Sequence, residues 1–338
     1  MGLISTLFFQ ICSGRRSKAI FFARGFASLL IPRAFWRTRR KALLSSIGRR
    51  PDADEIRARA AYCCRLEPYT AALPQDAATI GEHRFPRRLH TYWFDTRATL
   101  RYFPECLRWV HVPGDISETP PVPTVVKARP ISGDNGNGVL LALNTVRHFV
   151  FVHDRMPFHG KLDKACFRGK VPDKALRIAL FERWFGHPLL DLGDTSEHPV
   201  RPEWARPKLT LREQLRFKFI LSVEGNDVAS NLKWILSSNS VAVMPRPRFE
   251  TCFEEGKLIP GIHYLEVKSD FSDLPEVIER WAPRLDECER IAAAGRAWAA
   301  RFRDPRREKL VALLTMQRYF LATGQQPDAP GGVRTKTT

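Results

Sequence analysis

The chain has 338 residues, 44% of them apolar and 27% charged, with 22 Phe and 8 Trp. This composition excludes a disordered chain, and the length suffices for two α/β domains, each with its own core. A formal net charge of +18 points to a polyanionic partner, yet the excess is local: residues 1–50 hold nine Arg, two Lys and no acid, leaving only +7 for the other 288 residues.

In residues 1–50, Phe21, Phe22, Phe26, Leu29, Leu30, Phe35 and Trp36 alternate with Arg15, Arg16, Lys18, Arg24, Arg33 and Arg37. No uninterrupted apolar run reaches membrane-spanning length. The basic cluster follows the apolar stretch 3–11 instead of preceding it, which is the wrong order for a secretory signal. An interfacial helix fits this pattern, with aromatics at the headgroup boundary and basic residues on anionic lipid. Packing on the protein itself and nucleic-acid binding are the alternatives. Met1-Gly2-Leu3-Ile4-Ser5-Thr6 also fits a myristoylation pattern, which is short and common. The seven cysteines (Cys12, Cys63, Cys64, Cys106, Cys166, Cys252, Cys288) are odd in number and scattered, so reduced, mostly buried thiols are expected.

A helix is expected over 52–66, opened by Asp52, Asp54 and Glu55. Asp52-Ala53-Asp54 is formally a D-x-D, a pattern that binds divalent ions after apolar strands. Here Arg49-Arg50-Pro51 precedes it, and helix capping is the expected role. Strands are expected over 89–94, 107–112, 124–128 and 146–153, interrupted by an extended link rich in proline (Pro113, Pro120, Pro121, Pro123). From residue 164 strands (165–167, 217–223, 240–244, 262–267) alternate with helices (173–184, 227–238), and helices follow over 274–281, 285–302 and 306–319, a parallel-sheet pattern. The tail after Gln325 reads as disordered.

The run Phe217-Lys218-Phe219-Ile220-Leu221-Ser222-Val223-Glu224-Gly225-Asn226-Asp227 takes an apolar strand into a glycine turn. The helix expected after this turn places Val228, Leu232, Ile235 and Leu236 on one face, and its N-terminus is an anion cradle in outline. The same run continues through Asn231-Leu232-Lys233 to Ser240, and is followed by Met244-Pro245-Arg246-Pro247 and Gly261-Ile262-His263-Tyr264-Leu265-Glu266-Val267-Lys268. Together with Thr124-Val125-Val126-Lys127-Ala128-Arg129-Pro130-Ile131, Asp134-Asn135-Gly136-Asn137-Gly138 and Phe167-Arg168-Gly169, it resembles glycosyltransferase family 90. The resemblance is nearest the bacterial lipopolysaccharide core branch. The family also holds fungal capsule-associated xylosyltransferases and Rumi-type protein O-glucosyltransferases.

The resemblance implies an α/β, GT-B architecture: two Rossmann-like domains facing across a cleft, a UDP-sugar held by the C-terminal one, and no metal or other cofactor. The expected organisation is a basic amphipathic segment (1–50), an acceptor-side domain (51–160), a nucleotide-sugar domain (161–305), a helix returning to the first domain (306–325) and a tail (326–338). Transfer requires a base for the acceptor hydroxyl and positive charge for the departing diphosphate. Asp115, after Trp109-Val110-His111-Val112-Pro113-Gly114, resembles the family's base, with a turn-forming Asp as the alternative and Asp154 as second candidate. Arg168 ends a strand beside Gly169, where its fork of donors would suit phosphate. Arg177 resembles a second donor-contacting Arg of the family with a one-residue shift; a surface ion pair is the alternative for both. Gly225 and Asn226 form the turn, and Glu224 is a candidate for the ribose hydroxyls or simply a helix N-terminal acid. Rumi-type enzymes carry an Arg where this chain has Asn231, and Lys233 is the candidate substitute. Phe249-Glu250-Thr251 and Glu254-Glu255 lie where donor-sugar contacts usually fall. The turn 134–138 reads as mobile.

The expected activity is sugar transfer from a UDP-sugar to a lipid-linked lipopolysaccharide or other envelope glycan on the cytoplasmic face of an anionic membrane. Nucleic acid is not an expected partner, since a nucleic-acid binder spreads basic and aromatic residues over one face. A non-enzymatic polyanion binder and a family member that glycosylates protein are the alternatives.

Overall fold

The structure is a computed structural model that describes residues 17–328. The apolar stretch 3–11, the Met1-Gly2 pattern and most of the expected tail lie outside the described residues. Helices α1 (Lys18–Ala27), α2 (Arg33–Ser46), α3 (Ala53–Cys63) and α4 (His90–Leu100) precede short strands β1 (Thr124–Val126), β2 (Arg129–Pro130) and β3 (Gly138–Leu140). Then come α5 (Thr145–His148), β4 (Leu162–Gly169), α6 (Ala175–Trp184), β5 (Leu190–Asp194), α7 (Leu211–Gln214), β6 (Phe217–Leu221) and α8 (Leu232–Leu236). The chain ends through β7 (Val241–Met244), β8 (Phe249–Glu250), β9 (Leu265–Glu266), α9 (Leu274–Trp281), α10 (Leu285–Ala300) and α11 (Pro305–Ala322).

Two compact units result. The sheet unit comprises Val146–Pro247 and Glu255–Arg303; the helical unit comprises Lys18–Thr145, Arg248–Glu254 and the chain from Asp304 onward. In the sheet unit five parallel strands run in the order β5-β4-β6-β7-β9. Strands β6 and β7 are buried at every position, as a parallel sheet covered on both faces requires. Phe167, Phe181, Phe219, Leu221, Val243, Leu265, Ile278 and Ile291 belong to one core. After β4 the chain places β5 on one side and then returns to place β6 on the other. The carboxyl ends of β4 and β6 therefore flank the point where the winding reverses, the place where open α/β sheets bind ligands.

The expected helix over 227–238 is mostly absent: α8 has only five residues, and 222–231 is a loop held at its base by Asn231, whose Nδ2 donates to Leu221 O at 2.9 Å. This loop therefore lacks the helix N-terminus expected just after Gly225. The ten-residue α6, which follows β4, begins instead beside the switch point.

The helical unit departs further from the sequence pattern. Its β structure is limited among the described residues to the parallel pair β1-β3, the antiparallel pair β2-β8 and isolated bridges. The strand expected over 89–94 is the start of α4, whose Tyr92, Trp93, Phe94, Thr96, Thr99 and Leu100 are buried; aromatic and β-branched residues follow tertiary packing here, not propensity. Residues 107–112 are extended but make only single bridges, Thr79 with Arg108 and His111 with Val125. The strand expected over 146–153 begins inside α5. Helix α11 brings Leu313, Met316, Tyr319 and Phe320 into one core with Tyr102, Phe103, Leu107, Val125 and Val139. The Arg59 guanidinium, 1% exposed, donates to both Glu308 oxygens at 2.6 and 2.7 Å.

Residues 18–50 are not a detachable segment. Phe21, Phe22 and Phe26 of α1 set their rings against Phe94, and Gly25 permits that approach, since a Cβ there would come within 2.5 Å of the ring. In α2, Trp36 packs on Tyr102 under the Arg101 guanidinium, and buried Arg40 donates to Pro327 O at 2.7 Å and Asp328 at 2.6 Å, so residues 327 and 328 of the expected tail are pinned. No single described helix is long and apolar enough to cross a membrane; α1 and α2 with their flanking turns form a pair bent by 100°. Asp52 occupies the N-cap of α3, but its side chain caps nothing. It accepts from Arg50 at 2.7 Å and Arg307 at 2.6 Å, and these bonds, Arg50 first, hold the carboxyl well below its usual range. The turn 134–138 is also pinned: Asn135 is buried, donates to Pro130 O at 2.8 Å and accepts from Arg65 at 2.5 Å.

Candidate active site

At the switch point of the sheet unit, Arg177 lies in the first turn of α6. Its Nη2 donates to Val223 O at 2.9 Å, just past β6, and its Nη1 to Lys170 O at 2.8 Å, just past β4. One guanidinium thus ties together the two strand ends. It lies between two glycines: a Cβ on Gly169 would sit 3.5 Å from Nη1, and one on Gly225 would sit 3.4 Å from Nη2. Both are ordinary contact distances, while a Cβ on Gly169 would also meet the Phe167 ring at 2.9 Å. Phe167 supports it from the strand, with the guanidinium carbon 5.5 Å from the ring centroid.

Lys174, the N-cap residue of α6, adds a second cation, its Nζ donating to Asn226 Oδ1 at 2.6 Å. Glu224, partly exposed, belongs to the same loop. The loop between β4 and α6 is held from below by Asp194 at the end of β5. Its buried carboxylate accepts from Val171 N at 3.3 Å and from Ser196 N at 2.9 Å, while Thr195 N donates to Gly169 O at 3.0 Å. Asp173, in this loop, adopts φ 61°, a costly backbone for a non-glycine residue. Two cations, two glycines and the start of α6 therefore meet where the sheet reverses, an arrangement suited to a diphosphate.

Of the residues chosen from sequence, the structure brings together Gly169, Arg177, Glu224, Gly225 and Asn226 in this loop pair. Arg168 points elsewhere: its guanidinium crosses β5, with Nη2 on Asp191 Oδ1 at 2.7 Å and Nη1 on Asp191 O at 2.8 Å. Gly193 makes room for it, since a Cβ there would come within 2.8 Å of Arg168 Cδ. The signal for this was Asp191-Leu192-Gly193 on the neighbouring strand. Lys233 is fully buried and pairs with Glu255 at 2.7 Å. Glu250 is buried in the helical unit, accepting from Arg129 at 2.8 Å and Arg65 at 3.0 Å. Lys174 escaped sequence reasoning, although it stands one turn before Arg177 on the same helix.

Asp115 belongs to the helical unit. Its carboxylate is partly exposed and accepts from the Lys127 ammonium at 2.5 Å, while Lys127 itself is 1% exposed. A fixed buried cation thus orients an accessible carboxylate. Lys127 lies inside the run Thr124–Ile131 and was not singled out there. Asp154, the second candidate base, is a structural residue of the sheet unit: its side chain is buried and accepts from Lys161 Nζ at 2.8 Å and Asn239 N at 3.0 Å.

Comparison with known proteins places the sequence that forms these loops in a family. The model described as "Glycosyl transferase family 90" matches residues 144–303, which include the β4–α6 and β6–α8 loops. O-glucosyltransferase LpsA of Dichelobacter nodosus is 39% identical over 268 residues, covering 78% of this chain and 83% of that protein. Uncharacterized protein 027R of Frog virus 3 (isolate Goorha) is 32% identical over 124 residues, 36% of this chain and 13% of that protein. An identity of 39% over most of both chains, with the family model spanning the loop pair that holds Arg177, means that this chain belongs to glycosyltransferase family 90.

Proposed function

We propose that the protein transfers a sugar from a UDP-sugar to a hydroxyl of a lipopolysaccharide or other envelope glycan, with inversion and without a metal, at the inner face of the membrane. The observation that carries this reading is the Arg177 guanidinium held between Gly169 and Gly225, with Lys174 beside it, at the reversal point of a doubly wound sheet. The GT-B arrangement implied by the resemblance is part of the proposal. In the reaction the acceptor oxygen bonds to the anomeric carbon, the bond from that carbon to the β-phosphate oxygen breaks, and UDP leaves with the electron pair. Asp115 takes the acceptor proton, its carboxylate oriented by Lys127. Arg177 and Lys174 face the growing diphosphate charge, the role a metal fills in other glycosyltransferases. Glu224 is assigned to the ribose. The lipopolysaccharide branch of the resemblance and the likeness to LpsA support an envelope acceptor.

One finding bears on the metal-independent part of the proposal: the D-x-D carboxylate Asp52 is engaged by two arginines, Arg50 and Arg307. Incubating purified protein with a panel of UDP-sugars and measuring released UDP, with and without excess EDTA, tests the proposal. UDP release from one sugar, unchanged by EDTA, is expected. No release from any member of the panel contradicts the donor assignment, and strict Mn²⁺ or Mg²⁺ dependence contradicts the phosphate site.

A further inference from the structure

The bend between α1 and α2 leaves a cluster of apolar side chains in solvent. Leu30 is 85% exposed, and Phe26, Ile31 and Phe35 are exposed around it. The loop before α4, distant in sequence, adds to this cluster: the Phe85 ring lies 6.2 Å from that of Phe26, and Phe85 and Leu89 are 47% and 48% exposed. Leu89 adopts φ 59°, a rare backbone for leucine, and remains outside the core. Exposed apolar side chains on two segments that meet through Phe26 and Phe85 mark an interaction site.

Its charge identifies the occupant. Every charged residue in 18–50 and in 84–89 is Lys or Arg, and Arg24, Arg37, Arg84, Arg87 and Arg88 are exposed. The nearby acids are engaged, Glu105 with Arg33 and Glu82 with the Thr79 hydroxyl and backbone N–H. Apolar side chains among a strong excess of cations match an anionic bilayer, which offers hydrocarbon below a continuous layer of phosphate. Phe21, Phe22 and Phe26 of α1 set their rings against Phe94, which leaves the outer side of the bend to solvent.

We propose that the α1–α2 bend and the loop 84–89 form one docking edge for an anionic phospholipid bilayer, with Phe85 and Leu89 entering the headgroup boundary and Arg87 and Arg88 on lipid phosphates. This rests on the membrane-peripheral part of the proposed function and extends the contact beyond the basic N-terminal segment.

Sedimentation of the full chain with phosphatidylcholine vesicles, with and without phosphatidylglycerol, tests it. Wild type binds the anionic vesicles and keeps a salt-resistant remainder. Arg87→Ala with Arg88→Ala weakens binding by about 30-fold, and Phe85→Ser with Leu89→Ser removes much of the salt-resistant part, with melting temperatures and UDP release in solution near wild type. If both double variants bind like wild type, the loop is not part of the edge and the inference fails, while the membrane reading stands. Wild type that ignores anionic vesicles at low salt overturns both, and UDP release in solution then judges the catalytic reading separately. Self-association of wild type that both double variants abolish makes the edge a protein interface and also overturns the inference.

Discussion

Asp115 and Lys127 illustrate what single residues reveal and conceal. The exposed Asp115 carboxylate lies 2.5 Å from the buried Lys127 ammonium, a pairing that orients it. Asp115→Asn keeps the shape and removes the proton acceptor, so turnover should fall by about 10² to 10⁴ while UDP affinity is unchanged. Measured kcat within a few-fold of wild type would remove Asp115 from the mechanism. The resembling motif singled out Asp115 as a candidate. Lys127 was not legible as its partner, since twelve residues and a proline-rich link separate them. Arg168 shows the opposite case: a strand-end arginine next to glycine reads as a phosphate ligand, but the direction of its side chain depends on Asp191 and Gly193 of the adjacent strand, which only the sheet order brings beside it.

At the scale of elements, the parallel sheet was legible and the helical unit largely was not. The apolar run Val241–Met244, and Phe217–Leu221 interrupted only by Lys218, can be buried on both faces only in a covered sheet, and that indicated their type. The stretch 89–94 has the composition of a strand, but its aromatics satisfy a cluster that also draws in residues 83–85 and 109–111. Within that cluster the His111 ring stacks on Trp109 with centroids 5.1 Å apart, and His83 packs edge-on to Trp109 at 4.9 Å. Burial lowers His111 to about 3 and His83 to about 4, the latter also through nearby Arg33 and Arg97. Both imidazoles are thus neutral in the fold at pH values where the unfolded chain, with ordinary values near 6.5, already takes up protons. Stability should therefore be highest above about pH 6.5 and decline as pH falls toward 4. His111→Phe keeps the stack and removes one of these protons. Thermal melts from pH 7 to 4 should show a smaller decline in this variant, and an equal decline would place the acid sensitivity elsewhere.

At the scale of the whole molecule, the chain crosses between units, so neither a boundary at residue 50 nor one near 160 describes it. Lys18–Thr145 folds as one body with the chain from Asp304, and Trp36, Arg40 and Ile47 are part of that body. Deleting residues 1–50 should for this reason lower the melting temperature by several degrees or prevent folding; a truncated protein that melts like the full chain would make α1 and α2 dispensable. Clustering of charge at the N-terminus was plain in the sequence, but its division into a face docked on Phe94 and a face in solvent depends on Gly25 and on α4, far along the chain. The central claim concerns the sheet unit: that its reversal point, around Arg177, holds the diphosphate of the donor. Calorimetric titration of UDP into wild type, Arg177→Gln and Lys174→Met, with circular dichroism as the check on folding, tests this most directly. Loss of a charge-assisted bond to phosphate predicts affinity lower by about 10- to 100-fold for Arg177→Gln, with a smaller loss for Lys174→Met. UDP binding of wild-type strength in both folded variants would contradict the account.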